Sequence, residues 1–529
     1  MKYLKNCFLP LAAMIIAFCS CGTKEEPTPT PEPTPAPKAV TLSASSLTAK
    51  AEGESFDITV KSPFIPQVDN PSWITVKNGT MKDYTVVQTL EVAANTAYEP
   101  RTATLTFKAT GATSATLTVT QAAAEKPEPP TPGQDGLASF FGIGWNMGNQ
   151  FDGYYNGSWA KEKEGYPDEV CWMPEPQDEY KATQATFDGV KKAGFTSVRI
   201  PISWLKMIGP APEYKIDETW IGRVYEVVGF AHAAGLKVII NTHHDENHGV
   251  NNTYQWLDIK NAANNAELNN QIKEKIKGAW THIANKFKDC GDDWLMMEGF
   301  NELNDGGWGW SDDFRKNPQK QCNILNEWNQ VFVDAVRATG GNNATRWLGV
   351  PSYCANPEFT KYMTLPNDPA GKLAVSVHFY DPSDYTIGDK QYSDWGHTGA
   401  AGKKAEGSDE DHVKEVFGKL YSNYVAKGTP VYIGEFGCSM RSSSDTRAWA
   451  FYKYYMEYVV KAAKTYSLPC FLWDNCVAGA GKEKHGYIHH GNGNYIGGSK
   501  VIVDIITKAW NNESEGYTLD YVYSTAPKF

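Results

Sequence analysis

The residues best placed to do chemistry are two glutamates. Glu302 ends the run Met297-Glu298-Gly299-Phe300-Asn301-Glu302, and Glu435 stands in Pro430-Val431-Tyr432-Ile433-Gly434-Glu435-Phe436. Each closes a short apolar segment that reads as a buried strand. Charged side chains are rarely buried without partners. Two of them at strand ends, more than a hundred residues apart in the chain, imply carboxylates facing each other at one rim of a sheet or barrel. Such a pair supplies the acid, base and nucleophile needed to hydrolyse a glycosidic bond.

Those glutamates must be positioned by regular elements. From residue 137 onward, strand-like apolar runs alternate with helix-periodic segments. The strand-like runs cover residues 139–143, 197–200, 237–241, 295–298, 347–350, 373–377, 431–433 and 470–473. Helical periodicity covers residues 183–193, 220–234, 267–287, 324–339, 411–427 and 446–465. Gly194, Gly235 and Gly340 follow helices as stop signals. This alternation predicts an α/β fold, a (β/α)8 barrel with long loops. A doubly wound open sheet is the alternative. It would want a glycine-rich phosphate loop, and Gly142-Ile143-Gly144-Trp145-Asn146-Met147-Gly148 has the wrong spacing and a bulky Trp.

Polar and aromatic residues gather at the strand ends, where barrel active sites are built. The second strand runs into Arg199-Ile200-Pro201-Ile202-Ser203-Trp204 and the third into His243-His244-Asp245. The sixth runs into His378-Phe379-Tyr380-Asp381-Pro382 and the eighth into Trp473-Asp474-Asn475. These segments, with Gly144-Trp145-Asn146-Met147-Gly148-Asn149, Asn301-Glu302 and Gly434-Glu435-Phe436-Gly437, resemble glycoside hydrolase family 5 in their order and content. The Trp-Asn-Met-Gly-Asn opening and the His-His pair resemble its subfamily 4, which includes endoglucanases and xyloglucanases. The resemblance covers nearly all of residues 137–510.

The resemblance implies a retaining, endo-acting β-1,4-glucan hydrolase without cofactor or metal, with Glu435 as nucleophile and Glu302 as acid/base. It implies substrate-binding roles for Asn149, Arg199, His243, His244, Asn301, His378, Tyr380 and Trp473. Asn301 would bond the sugar 2-hydroxyl and Trp473 would stack under the reacting sugar. Arg199, a permanent cation, and the Tyr380 hydroxyl would favour ionised Glu435. The charge of Glu435 would in turn raise the pKa of Glu302. Two positions depart from the family pattern: Leu303 where many members have Pro, and Cys476 where many have Gly. Trp308 and Trp310, just after Glu302, are candidates for leaving-side sugar platforms or for packing. Trp172, Trp256 and Trp395 are further loop candidates.

Other chemistries fit less well. His243-His244-Asp245-Glu246-Asn247-His248 lacks the HExxH spacing and follows a strand, which argues against a zinc hydrolase. No GxSxG elbow is present for serine hydrolysis. A β-mannanase or xylanase on the same barrel stays open as an alternative, because backbone preference depends on loop geometry. So does a non-catalytic glycan-binding surface protein, although the presence of both glutamates argues against it.

The rest of the chain sets the context. The 529 residues allow two or three domains, and 41% are hydrophobic. A net charge of -11 with no basic cluster disfavours a nucleic-acid partner. Residues 1–20 read as a signal peptide, with Lys2 and Lys5 ahead of a short apolar run. Phe18-Cys19-Ser20-Cys21-Gly22 resembles a lipoprotein box with lipid on Cys21, and Lys24-Glu25-Glu26 resembles the surface-export signal of Bacteroidetes lipoproteins. An outer-membrane, cell-surface location is expected, with the membrane touched only through that lipid.

Residues 21–37 are a Pro/Thr-rich linker and residues 125–136 a second Pro-rich one. Between them, residues 38–124 show period-two alternation, as in Phe56, Ile58 and Val60 or Ala115, Leu117 and Val119. This predicts a small all-β, immunoglobulin-like antiparallel sandwich. Pro71-Ser72-Trp73-Ile74 and the stretch from Asn95 to Arg101 resemble the BACON domain, which implies carbohydrate binding. A plain spacer fits the residues equally. Residues 137–529 form the hydrolase domain. Seven scattered cysteines beyond residue 21 make no disulfide framework and read as buried thiols, with one disulfide left open. A monomer is expected, acting on a β-glucan polysaccharide or oligosaccharide.

Overall fold

The computed structural model describes residues 35–95, 99–123, 136–157, 161–249 and 252–529. The expected signal peptide, Cys21 and nearly all of both Pro-rich linkers lie outside these residues. The chain divides into two compact units, Met1–Lys126 and Pro127–Phe529.

Among the described residues the N-terminal unit has eight short strands: β1 Thr41–Leu42, β2 Ser46–Ala49, β3 Glu54–Lys61, β4 Gln67–Asp69, β5 Ile74–Asn78, β6 Thr85–Val92, β7 Arg101–Lys108 and β8 Ala115–Gln121. They form two sheets, ordered β1-β3-β6-β5 and β2-β8-β7-β4. The period-two residues Ile58, Val60, Leu105, Phe107, Leu117 and Val119 are all buried in one apolar core shared by both sheets. One pairing departs from the antiparallel expectation. Strand β2 runs parallel to β8, with Leu47 opposite Val119. Strands β1 and β2 belong to different sheets, so β2 arrives by a crossover and not by a hairpin. Trp73 packs against the core, and the Arg101 guanidinium lies 4.4 Å from its ring centroid. That cation covers the ring face that a sugar would need.

The larger unit is a closed, all-parallel barrel of eight strands. These are β9 Ile143–Met147, β10 Ser197–Ile200, β11 Lys237–Ile240, β12 Leu295–Glu298, β13 Leu348–Pro351, β14 Leu373–Phe379, β15 Val431–Phe436 and β16 Cys470–Asp474. Buried on both faces, they read as continuous apolar runs without alternation. The first strand lies later than predicted. Most of the expected strand at residues 139–143 belongs instead to a short helix, Gly136–Phe141. Its Leu137 and Phe141 cluster with Ile239, Met296, Ala374, Tyr432 and Phe471 from inside the barrel. A short apolar run gives no periodicity to separate such a plug from a strand.

Each of the six predicted helices is present, within a few residues at its ends except that the fourth begins earlier, at Pro318. A further helix, Lys500–Asn511, follows the last strand. Between β13 and β14 the chain takes tight 3-10 turns, Tyr353–Ala355 and Pro357–Tyr362. The seven cysteines beyond residue 21 are all free and buried.

One glycine is dictated by close approach. Gly349 on β13 sits opposite Glu298 on β12, and a Cβ there would collide with the Tyr432 hydroxyl. That hydroxyl donates to Glu298 at 2.7 Å. Gly349→Ala is therefore expected to displace Tyr432 and cost about 1–3 kcal/mol by overpacking. Denaturant unfolding measures this, and wild-type stability would refute the packing argument.

Candidate active site

The site is organised around one buried cation. Arg199 lies within β10, and its side chain is wholly buried. Nε donates to Glu298 Oε2 at 2.7 Å, and Nη1 donates to Glu435 Oε1 at 2.9 Å and to Asn146 Oδ1 at 3.1 Å. Nη2 donates to Asn301 Oδ1 at 2.9 Å. Burial disfavours the guanidinium charge, but Glu298 and Glu435 outweigh it and hold the group above its ordinary value. Arg199 is thus a fixed positive charge with its fork directed at four partners.

Glu298 was not recognised as a site residue from the sequence. It is fully buried and accepts from Arg199, Asn241 Nδ2 (3.0 Å), Ser376 Oγ (2.6 Å) and the Tyr432 hydroxyl (2.7 Å). Burial pushes its pKa up, yet Arg199, His378, Ser376 and Tyr432 bring it below the usual value. Glu298 is an ionised anchor beneath Arg199. The available signal was a glutamate at the end of an otherwise apolar, doubly buried strand. Ser376 and Tyr432 were equally hidden, since each looks like ordinary strand sequence, while Asn146 and Asn241 stood inside or beside the family-like runs without an assigned role.

Glu435 lies within β15 near the mouth. A register shift places it: Val377 pairs with Ile433, but the next residue, His378, pairs with Glu435. The extra residue is Gly434, and such a bulge re-aims the side chains beside it. Glu435 Oε2 accepts from the Tyr380 hydroxyl at 3.0 Å. Strand β12 ends at Glu298, where the sequence placed its end, so Glu302 stands four residues beyond it on the following loop. His378 Nδ1 lies 2.7 Å from Glu302 Oε1 and 3.7 Å from Glu435 Oε2. One carboxylate oxygen of each glutamate lies within 4.8 Å of the other.

The two carboxyl groups differ in their surroundings. Burial raises the pKa of Glu435, while His378 and Arg199 oppose the rise and Glu302 adds to it. Glu302 is pushed up to about 7, by burial first and by the charge of Glu246 second. The sequence pointed to the charge of Glu435, and the two glutamates do repel one another, but a further charge, Glu246, acts from the loop after β11. Burial lowers the pKa of His378 to about 4.

The remaining candidates line up unevenly. His243 is buried and driven well below its ordinary value, with Asn241 Nδ2 3.1 Å from its Nδ1 and Glu435 Oε1 3.9 Å from its Nε2. Its ring is parallel to Trp473, with centroids 6.0 Å apart. Trp473 lies against Gly148, where a Cβ would come within 2.7 Å of the indole. That contact explains the glycine in the Trp-Asn-Met-Gly-Asn run. His244 packs edge-on against His243 and sits 3.6 Å from Asp152. Burial lowers its pKa, but Glu246 and Asp152 raise it to about 9. Asn149 occupies a left-handed turn with φ 59°, its backbone N–H donating to Asp152.

That cleft, about 610 Å³, is lined by Glu302, Glu435, His378, Tyr380, Trp473, Trp308 and Trp310 among others. Trp308 and Trp310 are 48% and 78% exposed. Trp172 packs on Tyr154 and His244, and Trp256 donates to Asp245 at 2.6 Å. Trp395 is buried in the core, which removes it as a sugar contact. The two departures from the family pattern have clear surroundings. Leu303 is fully buried, and Cys476 sits at φ 62°, a backbone conformation that favours the glycine usual there.

A parallel eight-stranded barrel with two carboxyl groups this close across its mouth defines a retaining glycoside hydrolase. Residues 157–479 match the family described as cellulase, glycosyl hydrolase family 5, and residues 64–122 match BACON, a putative N-terminal binding domain. The chain belongs to glycoside hydrolase family 5 and carries an N-terminal BACON domain. It is 32% identical over 366 residues to endoglucanase A of Paenibacillus barcinonensis, covering 66% of this chain and 84% of that one. It is 32% identical over 410 residues to a xyloglucan-specific endo-β-1,4-glucanase of Bacteroides ovatus, covering 73% and 76%. The solved structure of a broad-specificity endoglucanase from Bacteroides salanitronis aligns at 44% identity and TM-score 0.66, covering 74% of this chain and 98% of that one.

Removing Glu298 would leave Arg199 buried with one carboxylate fewer. Glu298→Ala is expected to cost about 3–5 kcal/mol, the usual penalty for breaking a buried ion pair. Denaturant unfolding checks this, and a loss under about 1 kcal/mol, the range of exposed pairs, would remove Glu298 as the anchor.

Proposed function

We propose that this protein is an endo-acting β-1,4-glucanase that works by double displacement on a xyloglucan, mixed-linkage or cellulose-type backbone. The observation that carries the reading is the His378-bridged approach of Glu302 and Glu435 within 4.8 Å. Retaining enzymes need about 5–5.5 Å between carboxyl groups, while inverting enzymes need room for a water.

In the first step, a Glu435 oxygen attacks the anomeric carbon as the glycosidic C–O bond breaks. Glu302 gives its proton to the departing oxygen. In the second step, ionised Glu302 takes a proton from water, whose oxygen displaces Glu435 from the anomeric carbon. The groups found here suit those roles. Arg199 and Tyr380 bond to Glu435 and favour its anion. Glu302, held up to about 7, keeps a proton at mildly acidic pH. Asn301, fixed by Arg199, would hydrogen-bond the sugar 2-hydroxyl, and Trp473 would carry the reacting sugar on its exposed face. Trp308 and Trp310 would carry sugars on the leaving side. The names of the relatives support a β-1,4-glucan as substrate.

Glu302→Ala and Glu435→Ala are each expected to lower polysaccharide turnover by several orders of magnitude, read by reducing-end release. Near-wild-type activity in either rejects the assignment. Mass-spectrometric product analysis on xyloglucan, mixed-linkage glucan, carboxymethylcellulose, xylan and mannan tests the substrate class, and predominant release from mannan or xylan would overturn it.

We further propose that the mature protein is a cell-surface lipoprotein anchored through Cys21, on the strength of the Phe18-Cys19-Ser20-Cys21-Gly22 box and the Lys-Glu-Glu triplet after it. Metabolic labelling with a palmitate analogue is expected to mark the wild type and not Cys21→Ala. Equal labelling of both sinks the proposal.

A further inference from the structure

We propose that Glu246 is a positioning residue for Glu302, a buried carboxylate that fixes the Asn301 amide and sets a second negative charge beside the acid. The proposal rests on reading Glu302 as the acid/base.

Glu246 lies on the loop after β11 and is 1% exposed. Its Oε1 lies 3.5 Å from Asn301 Nδ2, 3.8 Å from His248 Nε2 and 3.9 Å from His244 Nδ1. Its Oε2 is buried with no hydrogen-bond partner among the described residues. Buried carboxylate oxygens are normally paired. The adjacent Asp245 shows what a purely structural carboxylate does on this loop. It accepts from the backbone N–H groups of Trp204 (2.8 Å) and Leu205 (2.7 Å) and from the Trp256 indole (2.6 Å). Asp245 ties loops together, whereas Glu246 makes long contacts to side chains of the site and keeps one oxygen free.

The Asn301 amide is held at both ends. Its oxygen accepts from Arg199 and its nitrogen faces Glu246, so cation and anion together dictate which end points where. Asn301 directly precedes Glu302, so the contacts that fix its amide tie down the backbone next to the acid.

Charge follows the same geometry. Glu302 faces Arg199 from β10, His378 from β14, Tyr380 just after it, Glu435 from β15, and His244, Glu246 and His248 from the β11 loop. Glu246 is the largest charge favouring the protonated form of Glu302, while His248, Arg199 and His244 oppose it. Glu246 also keeps His244 protonated. Neutralising Glu246 weakens that opposing charge too, but the larger influence is the one removed. The alkaline limb of activity must then move toward acid pH.

The test is Glu246→Gln in the full chain, with Glu246→Asn as a second neutral variant should the first not fold. The pH profile of kcat/KM is measured on a cello-oligosaccharide and on 2,4-dinitrophenyl β-cellobioside, whose leaving group needs no proton. The expected result is an alkaline limb lowered by about half a pH unit or more on the oligosaccharide, the size expected for removing a like charge from a buried site. The activated substrate should keep its kcat/KM within about two-fold, because only proton delivery is impaired. An unmoved limb, or equal losses on both substrates, overturns the proposal. Glu302→Ala separates the two readings. If it spares oligosaccharide hydrolysis, the acid/base assignment fails. If it abolishes hydrolysis while the neutral Glu246 variants leave the limb in place, only the role of Glu246 fails.

Discussion

Everything at the mouth of this barrel depends on burying the Arg199 guanidinium. Taking one ion out of water costs several kcal/mol even after relaxation, so a buried cation persists only where carboxylates meet it in good geometry. Glu298 and Glu435 meet it from two other strands. Glu298 in turn needs Asn241, Ser376 and Tyr432 to satisfy its oxygens, and Tyr432 needs the space that Gly349 leaves. One charge thereby recruits residues from most of the barrel wall.

The result is a division by depth. Below, Glu298 is held ionised and makes the floor permanent. Above, Glu435 shares the same cation but also faces the cleft, where Tyr380 and His378 reach it. Glu302 stands outside the ladder on a loop with no hydrogen bond to Arg199, and burial, with the charge of Glu246, raises its pKa against the pull of nearby cations. Burial raises both carboxyl groups, but only Glu435 is hydrogen-bonded to Arg199 and Tyr380, so one chemical type is given two different surroundings. The bulge at Gly434 is the small backbone device that brings Glu435 opposite His378 and within reach of Glu302.

The N-terminal unit solves a different problem. Its two small sheets bury one shared core, and its Trp73 ring is covered by Arg101. Those features suit a self-sufficient module more than an aromatic sugar platform.

The sequence by itself determined the fold class, the order of the strands and helices, and the members of the carboxylate pair. It did so because period-two and helical patterns, glycine stops and polar residues at strand ends are local signals. It also identified Arg199, Tyr380, His378 and Trp473, which stand beside the pair. It misplaced the first strand, since a plugging helix and a buried strand look alike over five apolar residues. It left Glu298 unassigned, and it did not foresee that burial and Glu246 also raise the pKa of Glu302. Those decisions were made only in tertiary structure. Burial, the meeting of side chains from distant strands and the exact oxygen each donor reaches are sums over residues far apart in the chain, and no local pattern records them.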